Sequence, residues 1–119
     1  MDSLVTPLIE TLKRQAQFVE TRPSTSPEDY FEGVLARDTV PGCEALLTSA
    51  LGAPVKPFGQ APALDRAIKK IVERLGGVRP EQCLFLSQRP DGVVAYAMLW
   101  PWASNPLRVT LKVGVSRST

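Results

Sequence analysis

The sequence predicts an α+β domain in which N-terminal helices pack on one face of a C-terminal three-stranded antiparallel meander. Three observations lead to this fold class. Apolar residues recur at helical spacing before residue 77, mainly apolar segments follow residue 81, and turn-forming residues at 89–92 and 103–106 separate these segments. We therefore expect one domain over residues 1–119, with a helical part over about 1–77 and a β-meander over about 81–115.

Pairs of a capping residue and a proline mark where helices begin. Thr6-Pro7 and Ser26-Pro27 each place proline at a first helical position, where its missing N–H is no loss. Glycines at positions 52, 76 and 77 mark helix ends. With the apolar stripes between these signals, the sequence predicts four helices, over residues 6–19, 26–35, 41–51 and 63–75.

The segment between the third and fourth helices holds three prolines and a glycine in residues 53–62, which excludes a helix and a central strand. Its Pro54-Val55-Lys56-Pro57 pattern fits a polyproline-type ligand segment for another protein. The same composition fits a stiff connector. The sequence leaves both interpretations of the Pro54 to Pro62 loop open.

Two turns set the predicted register of the meander. The turn at residues 89–92 predicts a tight hairpin that places Leu84 opposite Met98. A second connection at residues 103–106 is expected to place Met98 opposite Leu111 and to leave the last strand at the edge of the sheet. The predicted core face then holds Leu84, Leu86, Tyr96, Met98, Trp100, Val109, Leu111 and Val113.

The opposite face of the meander is the candidate surface for a partner. It combines apolar residues with cations, and we predict that five of them bind the partner: Phe85, Ala97, Leu99, Arg108 and Lys112. Apolar side chains on the outer side of a sheet reduce solubility unless something covers them. We expect face-to-face contact with another protein or with a second copy of the chain. A solvent face covered by a helix or a loop is the alternative.

Charge is distributed unevenly along the chain. Residues 1–50 hold four lysine and arginine residues against eight acids, whereas residues 51–119 hold ten against four. The fourth helix carries a basic strip, which gives the alternative site for nucleic acid: Arg66, Lys69, Lys70 and Arg74. An ordinary solvated helix face explains the same strip.

The chain contains no histidine, which removes imidazole bases, Ser-His and Cys-His nucleophiles and the commonest metal ligand together. Cys43 and Cys83 match no zinc-binding spacing. We therefore predict no catalytic residues, no metal site and no cofactor. Cys43 is either a reactive thiolate near a helix N-terminus or a small buried side chain, and the sequence does not decide between them.

No apolar run is long enough to span a membrane, and the first residues lack a basic segment followed by an apolar stretch. The sequence therefore predicts a cytoplasmic protein. We interpret it as a small protein-interaction or self-associating module without catalytic activity. The alternative is a nucleic-acid-binding domain that uses the basic second half of the chain. The sequence names neither the partner nor the oligomeric state.

Overall fold

The elements of the fold follow one another as one helix, two strands, two helices and three strands. The computed structural model describes residues 5–16, 18–22, 30–59, 66–74, 81–88, 93–105 and 107–117. Within these residues the helices are α1 (Thr6–Gln15), α2 (Val40–Leu51) and α3 (Arg66–Arg74), with a short 3₁₀ helix at Arg37–Thr39. The strands are β1 (Phe18–Arg22), β2 (Tyr30–Ala36), β3 (Cys83–Gln88), β4 (Val93–Pro101) and β5 (Arg108–Arg117).

The five strands form one antiparallel sheet in the order β1-β2-β5-β4-β3. The fold is α+β, but the prediction of a three-stranded meander with helices on one face is wrong. Two further strands precede the meander along the chain and extend its sheet. The strand that the sequence predicts at the edge, β5, lies at the centre of the sheet between β2 and β4.

The strand β2 occupies residues that the sequence assigns to a helix. Tyr30, Phe31, Val34 and Leu35 recur at a spacing that a helix face would show, after the Ser26-Pro27 signal. The structure buries Phe31, Val34 and Leu35 in a strand that is covered on both faces. Such a strand is apolar without strict alternation, and its pattern cannot be told from that of a short buried helix.

The register of the meander matches the prediction in one hairpin and departs from it in the other. Leu84 lies opposite Met98, which confirms the first hairpin. In the second hairpin Met98 lies opposite Lys112, whereas the prediction places it opposite Leu111. Because side chains alternate along a strand, this shift of one residue exchanges the two faces of β5.

The connection between β4 and β5 accounts for the shift. The Trp102 N–H donates to the Arg108 carbonyl at 3.0 Å, and the Arg108 N–H donates to the Asn105 carbonyl at 3.1 Å. The Asn105 side-chain oxygen accepts from the Leu107 N–H at 3.0 Å. These bonds hold Leu107 in the turn, so the connection is one residue longer than the predicted pairing of Trp102 with Leu107 allows.

The main core lies between the sheet and the helices α1 and α2, on the side that we call the first face. Phe85, Ala97 and Leu99 are fully buried in this core. The exchanged strand β5 adds three apolar residues to it, Val109, Leu111 and Val113. This corrects the predicted partner surface, because the shift makes this face the apolar one and the helices cover it.

A smaller core lies on the opposite side of the sheet, the second face, beneath α3. Ile71 and Val72 of α3 pack there against Leu84, Leu86, Val94 and Met98. Tyr96 and Trp100 lie half-buried against this cluster. The face that the sequence predicts as the only core is therefore the lesser of two, and α3 covers it while α1 and α2 pack on the first face.

Candidate interaction face

The second face carries a group of charged and aromatic side chains beside the smaller core. In the sheet register Lys112, Glu32 and Arg22 follow one another across β5, β2 and β1. Tyr30 lies on β2 two residues before Glu32, Trp100 lies on β4 with its ring beneath the Lys112 ammonium, and Trp102 follows β4. We call this group the polar–aromatic strip, and it consists of Arg22, Tyr30, Glu32, Trp100, Trp102 and Lys112.

Glu32 is the acceptor at the centre of the strip. One carboxylate oxygen accepts from the Arg22 guanidinium at 3.0 Å, and the other accepts from the Tyr30 hydroxyl at 2.7 Å. Burial, followed by the hydrogen bond to Glu32, raises the pKa of the Tyr30 hydroxyl far above its ordinary value. Tyr30 therefore stays protonated and donates, which fixes the carboxylate on the face of the sheet.

Lys112 contacts an aromatic ring. Its Nζ lies 3.8 Å from the centroid of the Trp100 ring, which is a cation–π contact. Lys112 is also the Cα partner of Glu32 across the β2–β5 pair. A cation and an anion thus lie side by side at the middle of the strip.

The two tryptophans differ in how their indole N–H groups are satisfied. Trp102 Nε1 donates to the Thr110 hydroxyl at 2.7 Å. Trp100 Nε1 is buried and has no hydrogen-bond partner within the described part of the chain. Buried donors of this kind are uncommon, since each costs about 1–3 kcal/mol. Among the described residues, the strip therefore contains a donor without an acceptor, the indole N–H of Trp100.

The residues predicted to bind a partner lie on opposite sides of the sheet. Arg108 and Lys112 project from the second face, and both are half-buried. Phe85, Ala97 and Leu99 project from the first face into the main core. The sheet separates the two groups, so the structure does not bring the five residues together in one surface.

The residues predicted to bind nucleic acid lie on α3. Arg66, Lys69 and Lys70 are exposed there, and the side chain of Arg74 lies outside the described residues. Because the apolar residues of α3 pack on the second face, these cations lie on the same side of the sheet as Lys112.

The sequence prediction missed Tyr30 and Glu32 because it assigned residues 26–35 to a helix, and it missed Arg22 because it placed this residue in the connection after the first helix. The available signal was the composition of residues 30–36, a short run that contains two aromatic residues and a valine. This length and composition are typical of a strand rather than of a helix.

Both cysteines are free thiols buried in the main core. Burial raises the pKa of Cys43 to about 12 and that of Cys83 to about 11. The nearby Glu44 carboxylate adds to both shifts. Cys43 is therefore a protonated packing group at neutral pH, which argues against the reactive thiolate.

We expect the free energy of unfolding to fall as the pH rises above about 9. Thiols of the unfolded chain ionise near their ordinary pKa of 9.0, whereas the folded thiols stay protonated up to about 11 or 12. The stability that comes from a raised pKa is complete below the unfolded value and is lost as the pH approaches the folded value. Urea unfolding between about pH 7 and about pH 10 measures the decrease. A Cys43→Ala variant should show a smaller decrease, and an equal one would contradict the prediction.

The described residues contain no helix long and apolar enough to cross a membrane and no group of three acids or cysteines placed to hold a metal ion. No protein-family model, curated protein or solved structure matches the chain. A function for this protein therefore has to rest on the chemistry of its own surface.

Proposed function

We propose that this protein is a self-associating protein-interaction module without catalytic chemistry, and that its contact surface is the polar–aromatic strip. The observation that carries the proposal is the composition of the strip, which combines tryptophan, tyrosine and arginine with charges of both signs. Tryptophan, tyrosine and arginine are the residues that dominate binding energy at protein interfaces. The proposal places the protein in the cytoplasm, because two buried unpaired thiols suit a reducing compartment.

The arrangement of charge favours a second copy of the chain as the partner. A two-fold interface needs a self-complementary surface, in which residue i contacts residue j and residue j contacts residue i. Glu32 and Lys112 are neighbours on adjacent strands. A two-fold axis that runs between β2 and β5 therefore sets Glu32 of each copy opposite Lys112 of the other.

The edges of the sheet favour association through a face. β1 is an edge strand with a bulge between Phe18 and Glu20, and its charged residues Glu20 and Arg22 are exposed. Bulges and charges are the features by which edge strands resist pairing with another strand. On β3, Leu84 already exchanges backbone hydrogen bonds with Lys56.

Exchanging the two charges tests the proposed interface. We expect Glu32→Lys and Lys112→Glu each to weaken self-association about tenfold or more, because each change sets like charges opposite one another. The double variant E32K/K112E restores opposite charges across the axis and should recover most of the affinity. Sedimentation equilibrium of the purified variants measures the dissociation constants.

The matched control is Glu10→Lys, which makes the same charge change at an exposed position on α1. It should leave association unchanged. A wild-type protein that stays monomeric at high concentration would overturn the proposal. Failure of the double variant to recover affinity, with its fold intact by circular dichroism, would overturn the two-fold arrangement.

A nucleic-acid-binding domain is the second candidate. The observation that favours it is the position of Arg66, Lys69 and Lys70, exposed on the same side of the sheet as Lys112. The carboxylate of Glu32 in the middle of the strip opposes it, because a phosphate backbone is repelled by an anion. We therefore rank this candidate below self-association.

The charge variants also separate the two candidates. Under the nucleic-acid alternative, Lys112→Glu should weaken binding of a labelled single-stranded oligonucleotide, and Glu32→Lys should strengthen it. The double variant E32K/K112E should then show no specific recovery of binding, only the two opposite effects added together. Fluorescence anisotropy at low and high salt measures this binding, and tight binding with a steep salt dependence would favour nucleic acid over self-association.

A further inference from the structure

The segment of residues 53–58 covers the edge of β3 at Leu84, and we call this segment the strap. Gly52 precedes the strap with a φ of 89°, and Gly59 follows it with a φ of 74°. Among the described residues, no other residue has a positive φ. Glycine reaches these conformations without strain, and hinges are a few loop residues that absorb changes in φ and ψ. The strap therefore lies between two residues suited to be hinges.

Within the described residues, the main chain of the strap is bonded to β3 at a single position. The N–H groups of Val55 and Lys56 donate to the Leu84 carbonyl at 2.9 Å and 3.3 Å, and the Leu84 N–H donates to the Lys56 carbonyl at 3.0 Å. Pro54 and Pro57 lie on either side and have no N–H that could extend the ladder. The strap thus has one bridge to β3, whereas β4 pairs with six residues of that strand.

The side chains of the strap close the cores on both sides of the sheet. Val55 packs against the smaller core and Phe58 against the main core, and both are half-buried. Lys56 lies between them and is 1% exposed, and no other charged side chain among the described residues is buried. Its ammonium donates to the Pro57 carbonyl at 2.8 Å and to the Gln82 carbonyl at 2.5 Å. The strap is therefore held by two partly buried apolar groups and one buried charge.

The buried ammonium makes the closed strap less stable than its hydrogen bonds alone suggest. A charge that leaves water loses its hydration, and this cost is subtracted from the energy of the hydrogen bonds that it gains. When the strap opens, the Lys56 ammonium is hydrated again and the cost is recovered. Phe85, by contrast, is fully buried and can be exposed only by separating the sheet from its helices. Opening the strap therefore costs much less free energy than unfolding the core.

We propose that the strap opens as a unit about Gly52 and Gly59 while the five-stranded sheet stays folded. Opening frees the N–H and the carbonyl of Leu84, which then lie unpaired at the edge of β3. Unpaired groups at a sheet edge are the positions at which another extended chain can add to the sheet. The strap is thus a conformational device that covers or exposes this edge, and it is independent of self-association through the polar–aromatic strip.

Native-state hydrogen exchange of the full chain, followed by NMR at low urea concentrations, tests the opening. We expect the amides of Lys56 and Leu84 to have protection factors at least about a hundredfold lower than those of Ala97 and Leu111. The latter two lie in the inner strands β4 and β5. Exchange of the first two amides should also change little with urea, because a local opening exposes little surface. Equal protection of all four amides, or an equal dependence on urea, would overturn the proposal.

Two matched variants separate local opening from global unfolding. Phe58→Ala removes a contact of the closed strap and should lower the protection of all four amides about tenfold. Phe18→Ala removes a half-buried ring that packs against the same core from β1, at the opposite edge of the sheet. Since that ring keeps its contacts when the strap opens, Phe18→Ala should lower the protection of Ala97 and Leu111 only. If Phe18→Ala lowered the protection of all four amides equally, the proposal would be wrong, even if Phe58→Ala failed to fold.

Discussion

Replacing Phe85 by aspartate should unfold the protein. Phe85 is fully buried in the main core, opposite Ala97 in the β3–β4 pair and beneath the helices of the first face. A carboxylate at this position would lose its hydration without gaining a partner, and the packing of the ring would be lost with it. Even the apolar change Phe85→Ala should lower the free energy of unfolding by about 3–5 kcal/mol. Circular dichroism and urea unfolding measure both effects.

The matched control is Leu107→Asp, because the Leu107 side chain is 63% exposed in the turn before β5. This variant should stay within about 0.5 kcal/mol of the wild-type stability. The sequence alone predicts the reverse for Phe85, namely that a charge there weakens association and leaves the fold intact. A folded Phe85→Asp variant would therefore support the predicted outer face and contradict the observed burial of Phe85 in the main core.

Replacing Lys56 by methionine should lower the free energy of unfolding by about 1–3 kcal/mol. Methionine fills a similar volume, but it cannot donate, so the carbonyls of Pro57 and Gln82 lose the ammonium that they accept from. Burial lowers the pKa of Lys56, which means that the charge is held at a desolvation cost. Methionine carries no charge and does not have this desolvation cost. The net loss of stability in the variant is therefore smaller than the loss of two full hydrogen bonds.

Lys69→Met is the comparison for this experiment, since Lys69 is exposed on α3. We expect it to change the stability by less than about 0.5 kcal/mol. Urea midpoints of the two variants give the difference directly. A Lys56→Met variant as stable as the wild type would mean that the desolvation of the ammonium outweighs the bonds it donates.

Local signals predicted the local parts of the fold. The hairpin between β3 and β4 has the predicted register, and its strands are joined by only a short connection. The end of α2 at Gly52 is also confirmed, because this residue adopts a φ of 89°, a conformation that glycine reaches without strain. In both cases the determining residues lie within a few positions of the structure that they specify.

The sequence did not predict the position of β5 or which of its faces is buried, because these depend on long-range pairing and on one connection. The side-chain and backbone bonds of Asn105 lengthen the turn before β5 by one residue, and the two faces of β5 exchange as a result. The pairing of β2 with β5 joins segments from the two halves of the chain, and no local sequence pattern predicts such a pairing. The polar–aromatic strip depends on both, so its residues could not be assembled from the sequence.

The central position of β5 bears on how the chain folds. β1 and β2 can pair with each other, and so can β3 and β4, by closing short loops. The last strand of the chain has to enter between these two hairpins and bond to both. Forming the β2–β5 pair therefore means closing a loop that spans most of the chain, which costs entropy before any contact compensates for it. The high contact order of this topology implies slow folding, with two unjoined hairpins as the species most exposed to misassembly until β5 docks.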